Sequence, residues 1–178
     1  MQWTSDSSHS HLDFAVKHMG ISTVRGRFKK FTATVESSEQ QALTRVVVTA
    51  ETPSIDTGEP KRDDHLRSAD FLDAAQYPEM RIESTVVTPG RGDTYVVSGN
   101  LTIRDQTHPI SFDVEVEKPI KDPWGNSRAA ATGRGKLNRK EWGLNWNMAL
   151  ELGGWMVGDD VQFSFDLEAI VPAPAAAR

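Results

Sequence analysis

Near the N-terminus, His9, His11 and Asp13 have the types and spacing to hold a metal ion. On an extended strand, alternate residues share a face, so these groups would project together. Two imidazoles and a carboxylate are a plausible zinc or iron set. The same alternation puts Leu12, Phe14 and Val16 on the other side. The polar residues therefore also describe the wet face of a half-buried strand, and no metal site is assigned to them. His18 falls on the apolar side beside Met19-Gly20, as a satisfied core histidine or as a polar group at a cavity mouth. Arg25, Arg27 and Lys29 form a basic stripe that could meet a diphosphate or an anionic lipid surface. Pairing of the first two strands through the Gly20 turn would bring Lys29 near Asp13 and make part of the stripe cross-strand balance. Arg62, His65 and Arg67 have Asp63, Asp64 and Asp70 at hand, which favours a fold-locking role. No nucleophile elbow or glycine-rich phosphate loop is present, so the sequence supports catalysis poorly.

Composition narrows the classes further. A chain of 178 residues fits one domain with a real core, placed at 1–171 with a Pro/Ala-rich tail at 172–178. The absence of cysteine removes disulfides and thiolate metal sites. A net charge of −5 argues against nucleic-acid binding by phosphate neutralisation. No apolar run approaches the roughly 20 residues that span a bilayer. The opening Met1-Gln-Trp leads into a polar run with no apolar signal core. The expectation is a cytoplasmic protein, or a periplasmic one if a signal peptide has been removed.

These residues must be positioned by strands, because period-two alternation dominates the chain. Val161, Phe163, Phe165, Leu167, Ala169 and Val171 oppose Gln162, Ser164, Asp166 and Glu168. Ile110, Phe112, Val114 and Val116 alternate in the same way. Eight strands are expected, at 9–19, 24–36, 43–55, 80–88, 94–104, 109–118, 128–138 and 160–171. Gly20, Pro89-Gly90, Gly92 and the Asp122-Pro-Trp-Gly run supply turns. Eight short-connected antiparallel strands can close into a barrel without exposed edges.

Two stretches break the pattern. Phe28 and Phe31 cannot share a face of a regular strand, so a bulge is expected near Lys29-Lys30, with a corner at Gly26. Lys61 to Pro78 reads as a helix, capped by Asp63 or Asp64, with Leu66, Ala69 and Leu72 at helical spacing and a stop at Tyr77-Pro78. Further on, Trp142, Trp146 and Trp155 crowd together with Leu144, Met148, Leu150, Leu152 and Met156. Such residues suit a flexible hydrocarbon ligand, but composition alone favours ordinary core at one barrel end.

The order of several motifs resembles the YceI-like family of lipocalin-like polyisoprenoid-binding proteins. His9 to Gly20 resembles the opening strand of that family, and Arg62 to Asp73 with Tyr77-Pro78 its helix. Leu101 to Arg104 with Thr107 to Ser111 resembles its central hairpin, with Asp105 where glycine is common, and Val157 to Val161 its last turn.

The resemblance implies an all-β, eight-stranded antiparallel lipocalin-like barrel with one short helix after strand three. It further implies a bound polyisoprenoid, such as an isoprenoid quinone or a prenyl phosphate, with no other cofactor. Inward-facing candidates are Leu12, Phe14, Val16, His18, Phe28, Ile82, Phe112, Val114, Phe163 and Phe165, with Trp142 and Trp146 at one end. Membrane contact would be at most transient, and a homodimer is compatible with the family. Two other readings compete: a metal-dependent enzyme on the His9/His11/Asp13 face, and a stress protein that binds assorted hydrophobes.

Overall fold

Alternation along the chain becomes the inside and outside of a closed wall. The computed structural model describes residues 1–172; beyond Pro172, the tail lies outside the described residues. The strands are β1 (Gln2–Ser5), β2 (His11–His18), β3 (Ser22–Phe28), β4 (Phe31–Ser37), β5 (Leu43–Glu51) and β6 (Ile55–Asp56). After the helix α1 (Pro60–Arg67) come β7 (Glu79–Pro89), β8 (Thr94–Ile103), β9 (Gln106–Val116), β10 (Ile120–Lys121), β11 (Ser127–Asn138) and β12 (Val157–Val171). Short 3-10 turns occupy Thr52–Ser54 and Arg139–Trp142.

The strands pair antiparallel, and β11 closes the ring by joining β9 on one edge and β12 on the other. The far edge of β12 meets β1 near its C-terminal end and β2 along the rest. Thus β1 and β2 are two halves of one wall strand, as are β3 and β4, and β5 and β6. With β7, β8, β9, β11 and β12 they make an eight-stranded barrel, to which β10 adds an edge piece. The eight expected strands correspond to these wall positions, apart from β1. That segment holds a single inward anchor, Trp3, whose Nε1 donates to Ser37 Oγ at 2.9 Å.

The breaks have local causes. Between β1 and β2, the Ser10 hydroxyl accepts the Glu168 N–H at 3.1 Å, replacing a backbone rung. Between β3 and β4, the Lys29 N–H donates to Ser54 O and the Lys30 N–H to Ser54 Oγ, each at 3.1 Å. This interruption lets Phe28 and Phe31 both turn inward, as their odd spacing requires. The β2–β3 register pairs Asp13 with Arg27, not with Lys29, because a three-residue turn joins His18 to Ser22. Lys29 instead meets Asp56 at 2.8 Å.

The helix starts and stops earlier than its sequence suggests. Glu59 is the N-cap and Pro60 the first helical residue, whose fixed φ suits that position. Asp63 is buried and accepts from the Thr57 N–H and hydroxyl, tying down the segment before the helix. The helix ends at Arg67 because Ser68 adopts an extended conformation, its hydroxyl donating to His65 O at 2.7 Å. Turns then lead to Tyr77-Pro78, so Leu72 is buried while Ala69 is exposed. Arg67 donates to the carbonyls of Pro53 and Ile55 and pairs with Asp64, locking the insert to the wall. In the β8–β9 hairpin the left-handed residue is Arg104 (φ 56°), not Asp105. The Arg104 guanidinium lies over Tyr77, 5.8 Å from the ring centre, a favourable cation–π position.

Candidate functional site

The inward residues leave a cavity of about 640 Å³ along the barrel. That volume lies inside the roughly 300–1,000 Å³ typical of small-molecule sites. At one end it is bordered by Trp3, Val35, Leu43, Val116 and Ala129, and at the other by His65, Leu144, Trp146 and Met156. Along β12 the bordering residues run from Val157 to Ala169. At about 3.3 Å per residue and a tilt of roughly 40°, that run covers about 30 Å of the barrel axis. The lumen is long and apolar.

Leu12, Phe14, Val16, His18, Phe28, Ile82, Phe112, Val114, Trp146, Phe163 and Phe165 all border this lumen. Trp142 does not. It is 1 % exposed, stands edge-on to His108 at 5.3 Å, and donates from Nε1 to Leu101 O at 2.9 Å. Its indole N–H needs a buried acceptor, and that need holds the ring in the core beside the lumen. The remaining residues of the tryptophan-rich segment divide: Leu144 is buried, Met156 borders the lumen, and Met148, Leu152 and Trp155 face solvent. Phe31, Leu137 and Leu167 also border it, on strand faces that the alternation marks as dry.

Space for the rings comes from glycine. Phe14 lies opposite Gly26, Phe165 opposite Gly133 and Phe163 opposite Gly135. A Cβ placed on Gly133 would stand 2.1 Å from Phe165 Cζ, and one on Gly135 2.4 Å from Phe163 Cζ. Each ring therefore covers the neighbouring strand and leaves the barrel centre open. Phe112 meets both Phe163 and Phe165 edge-to-face, at 5.6 and 5.8 Å, which fixes their tilt. Gly133→Val is expected to push Phe165 into the lumen and cost about 1–3 kcal/mol through overpacking. Urea unfolding checks this, and an unchanged midpoint would contradict the packing described.

Polar lining groups gather at the ends. Asp13, Lys17 and Arg81 border the cavity only as members of wall strands whose alternate residues point inward. Near α1, the lining includes His18, Glu59, Lys61, Arg62, His65 and Arg139. His65 is held by Asp70 at 2.8 Å and stands edge-on to Trp146 and Phe71, at 4.6 and 5.1 Å. Arg62 is exposed and donates to the hydroxyl and carbonyl of Thr57. Arg139, only 2 % exposed, was not legible in the sequence. It donates to the carbonyls of Gly158, Leu144 and Val157, and burial pushes its guanidinium pKa down. Nothing in its sequence neighbourhood announces those three acceptors.

The structure does not assemble His9, His11 and Asp13 into a site. His9 precedes β2 and meets Asp6 at 3.1 Å, His11 pairs in register with Asp166, and Asp13 faces Arg27 at 3.8 Å. Asp6, His9 and Glu168 do offer ligand atoms within 4.8 Å of one another. Arg128 already supplies the cation there, donating to Asp6, Glu168 and Asp122. Its guanidinium pKa is raised, first by Asp122 and then by Glu168. Asp6 is held well below the usual carboxylate range by hydrogen bonds from the Ser8 hydroxyl, His9 and the Ser8 amide.

Burial pushes the Asp122 carboxyl up, but donors from Arg128, Asn126 and Trp124 outweigh it and leave its pKa at about 2. A carboxylate depressed in the folded state stabilises above its unfolded pKa and loses that effect as acid protonates it. Asp122→Asn should therefore lower stability at neutral pH, with the difference from wild type shrinking between about pH 4 and pH 2. Thermal unfolding at several pH values checks this; a deficit independent of pH would contradict it.

A closed eight-stranded barrel around an elongated apolar lumen defines a lipocalin-like barrel. Residues 3–169 match the YceI-like domain, and the chain belongs to that family. A UPF0312 protein of Staphylococcus aureus (strain bovine RF122 / ET3-1) is 36 % identical over 170 residues, covering 93 % of this chain and 95 % of the relative. A UPF0312 protein of Pectobacterium atrosepticum is 33 % identical, covering 95 % and 85 %. Among solved structures, Burkholderia cenocepacia BcnA superposes with a TM-score of 0.78 at 25 % identity, covering 92 % of this chain and 98 % of its own. A polyisoprenoid binding domain from Saccharophagus degradans, implicated in plant cell wall breakdown, shares the fold, with a TM-score of 0.72 at 14 % identity over 96 % and 98 % of the two chains.

Proposed function

We propose that the barrel binds a polyisoprenoid lipid, an isoprenoid quinone or a prenyl phosphate, and sequesters or carries it. The observation that carries this reading is the shape and chemistry of the lumen: long, apolar along its middle, and polar where it nears α1. A linear hydrocarbon matches that shape better than a compact ligand does. Each buried CH₂ is worth about 0.8 kcal/mol, so one five-carbon unit contributes up to about 4 kcal/mol toward leaving water. A polar head would lie near His18, Arg62 and His65, where cationic and hydrogen-bonding groups stand at the rim. The Saccharophagus polyisoprenoid binding domain, which shares the fold, supports the same ligand class. The reading is one of binding rather than catalysis, since the residues that would carry a metal-dependent reaction engage separate partners.

Displacement of a fluorescent apolar dye tests the proposal. Prenols of increasing length are expected to bind progressively tighter until the lumen is filled, and to outcompete straight-chain alcohols of equal carbon number. Equal displacement by all hydrophobes would favour a promiscuous barrel. No displacement by any prenol would remove the proposal.

A further inference from the structure

The segment after Trp146 forms an arm that exposes apolar side chains. The Asn147 side chain accepts the Val157 N–H and donates to Val157 O, pinning the base of the arm. The Met156 N–H donates to Met148 O, Ala149 bridges Trp155, and the Leu150 N–H donates to Gly154 O. Gly153 and Gly154, with φ of 89° and 96°, let the tip reverse in a conformation other residues resist. Leu152 is fully exposed at this tip, with Trp155 and Met148 more than half exposed behind it. The adjoining Met19-Gly20-Ile21 turn is tied on by the Met19 N–H to Met156 O, at 2.8 Å, and exposes Met19 and Ile21.

Five large apolar side chains thus lie at one end of the barrel, the end where Met156, Trp146 and His18 border the lumen. Barrel packing gives no reason for that exposure, and clustered apolar surface marks an interaction site. The occupant is indicated by two further features. Lys17 and Arg25 on the neighbouring β2–β3 surface, and Lys61 at the mouth, are exposed and make no ion pair among the described residues. Trp155 on a glycine-hinged tip suits the headgroup layer, where tryptophan is enriched. Glu151, exposed beside Leu152, limits the arm to shallow insertion.

We propose that this rim docks on a bilayer containing anionic lipid, with Leu152, Trp155, Met148, Met19 and Ile21 entering the interface and Lys17, Arg25 and Lys61 facing headgroups. The lumen mouth then opens toward the membrane, and a lipid moves between bilayer and barrel without crossing water. This inference rests on the lipid-binding reading.

Flotation with vesicles of three parts phosphatidylcholine to one part phosphatidylglycerol tests it. Wild type is expected to float, and the double variant Leu152→Glu/Trp155→Ser to lose at least about tenfold of its vesicle-bound fraction, given the apolar area removed. The control Ile120→Ser/Trp124→Ser, which changes exposed apolar residues outside this rim, is expected to float like wild type. Failure of wild type to float, or equal flotation of the rim variant, would overturn the docking proposal. A wild-type dimer that the rim variant splits, with no flotation of either, would assign the patch to self-association and overturn it as well. Lipid extracted from the same preparations separates the two readings. Full prenyl occupancy without flotation removes docking alone, whereas flotation of a protein that takes up no prenyl lipid removes the lumen reading alone.

Discussion

Phe165→Asp is expected to abolish prenyl uptake, raising Kd by about 100-fold or more, while the barrel still folds. Phe165 borders the lumen, covers Gly133 and meets Phe112 edge-to-face. A carboxylate there keeps its water only if the lumen stays wet, and an entering hydrocarbon must strip that water away. The effective cost of burying an unpaired charge is several kcal/mol, and each 1.4 kcal/mol is a tenfold loss of affinity. Phe165→Leu keeps the lining apolar and should bind within about tenfold of wild type. Asp166→Lys, one residue further on and facing solvent, should bind like wild type. The dye-displacement assay, run beside circular dichroism to show folding, checks all three. Wild-type affinity in folded Phe165→Asp would contradict the placement of the ligand.

Trp142→Ala should do the opposite, costing stability far more than it costs binding. The ring is buried in a cluster with Phe28, Leu101, Ile103 and Leu144 and does not border the lumen. Truncating a buried aromatic to alanine costs about 3–5 kcal/mol. In a domain of this size each kcal/mol shifts Tm by about 2–4 °C, so a fall of about 6–20 °C is expected. Trp142→Phe should restore much of the packing and lose only the indole bond to the Leu101 carbonyl, which keeps its ladder place opposite His108, a net cost of about 0.5–1.5 kcal/mol. Thermal unfolding measures both, and a change of a degree or two in Trp142→Ala would contradict the core placement.

These two residues also show what the sequence could and could not reveal. Phe165 was legible because β12 has one dry face, and strict alternation leaves no ambiguity about which residues share it. The break between Phe28 and Phe31 was legible for a related reason: two large apolar residues three apart cannot both face inward on a regular strand. Trp142 belongs to no alternating run, so its direction depends on the acceptor at Leu101, distant in sequence. Arg139 is a stronger case, because its three carbonyl partners come together only when β12 pairs back along β11 and sets Val157 and Gly158 beside the Leu144 turn. The Asp13–Arg27 register turned on the length of one tight turn, and a two-residue difference moved the ion pair. The helix cap moved from Asp63 to Glu59 because Pro60 makes a better first helical residue than anything after it, which releases Asp63 to hold Thr57.

The measurement that tests the central claim most directly is solvent extraction of the natively purified protein followed by mass spectrometry of the extract. The lumen described here predicts a prenyl lipid at close to one per chain, whose mass gives both tail and head group. A stoichiometric ligand of another class, or a barrel that stays empty after incubation with prenyl lipids, would contradict it.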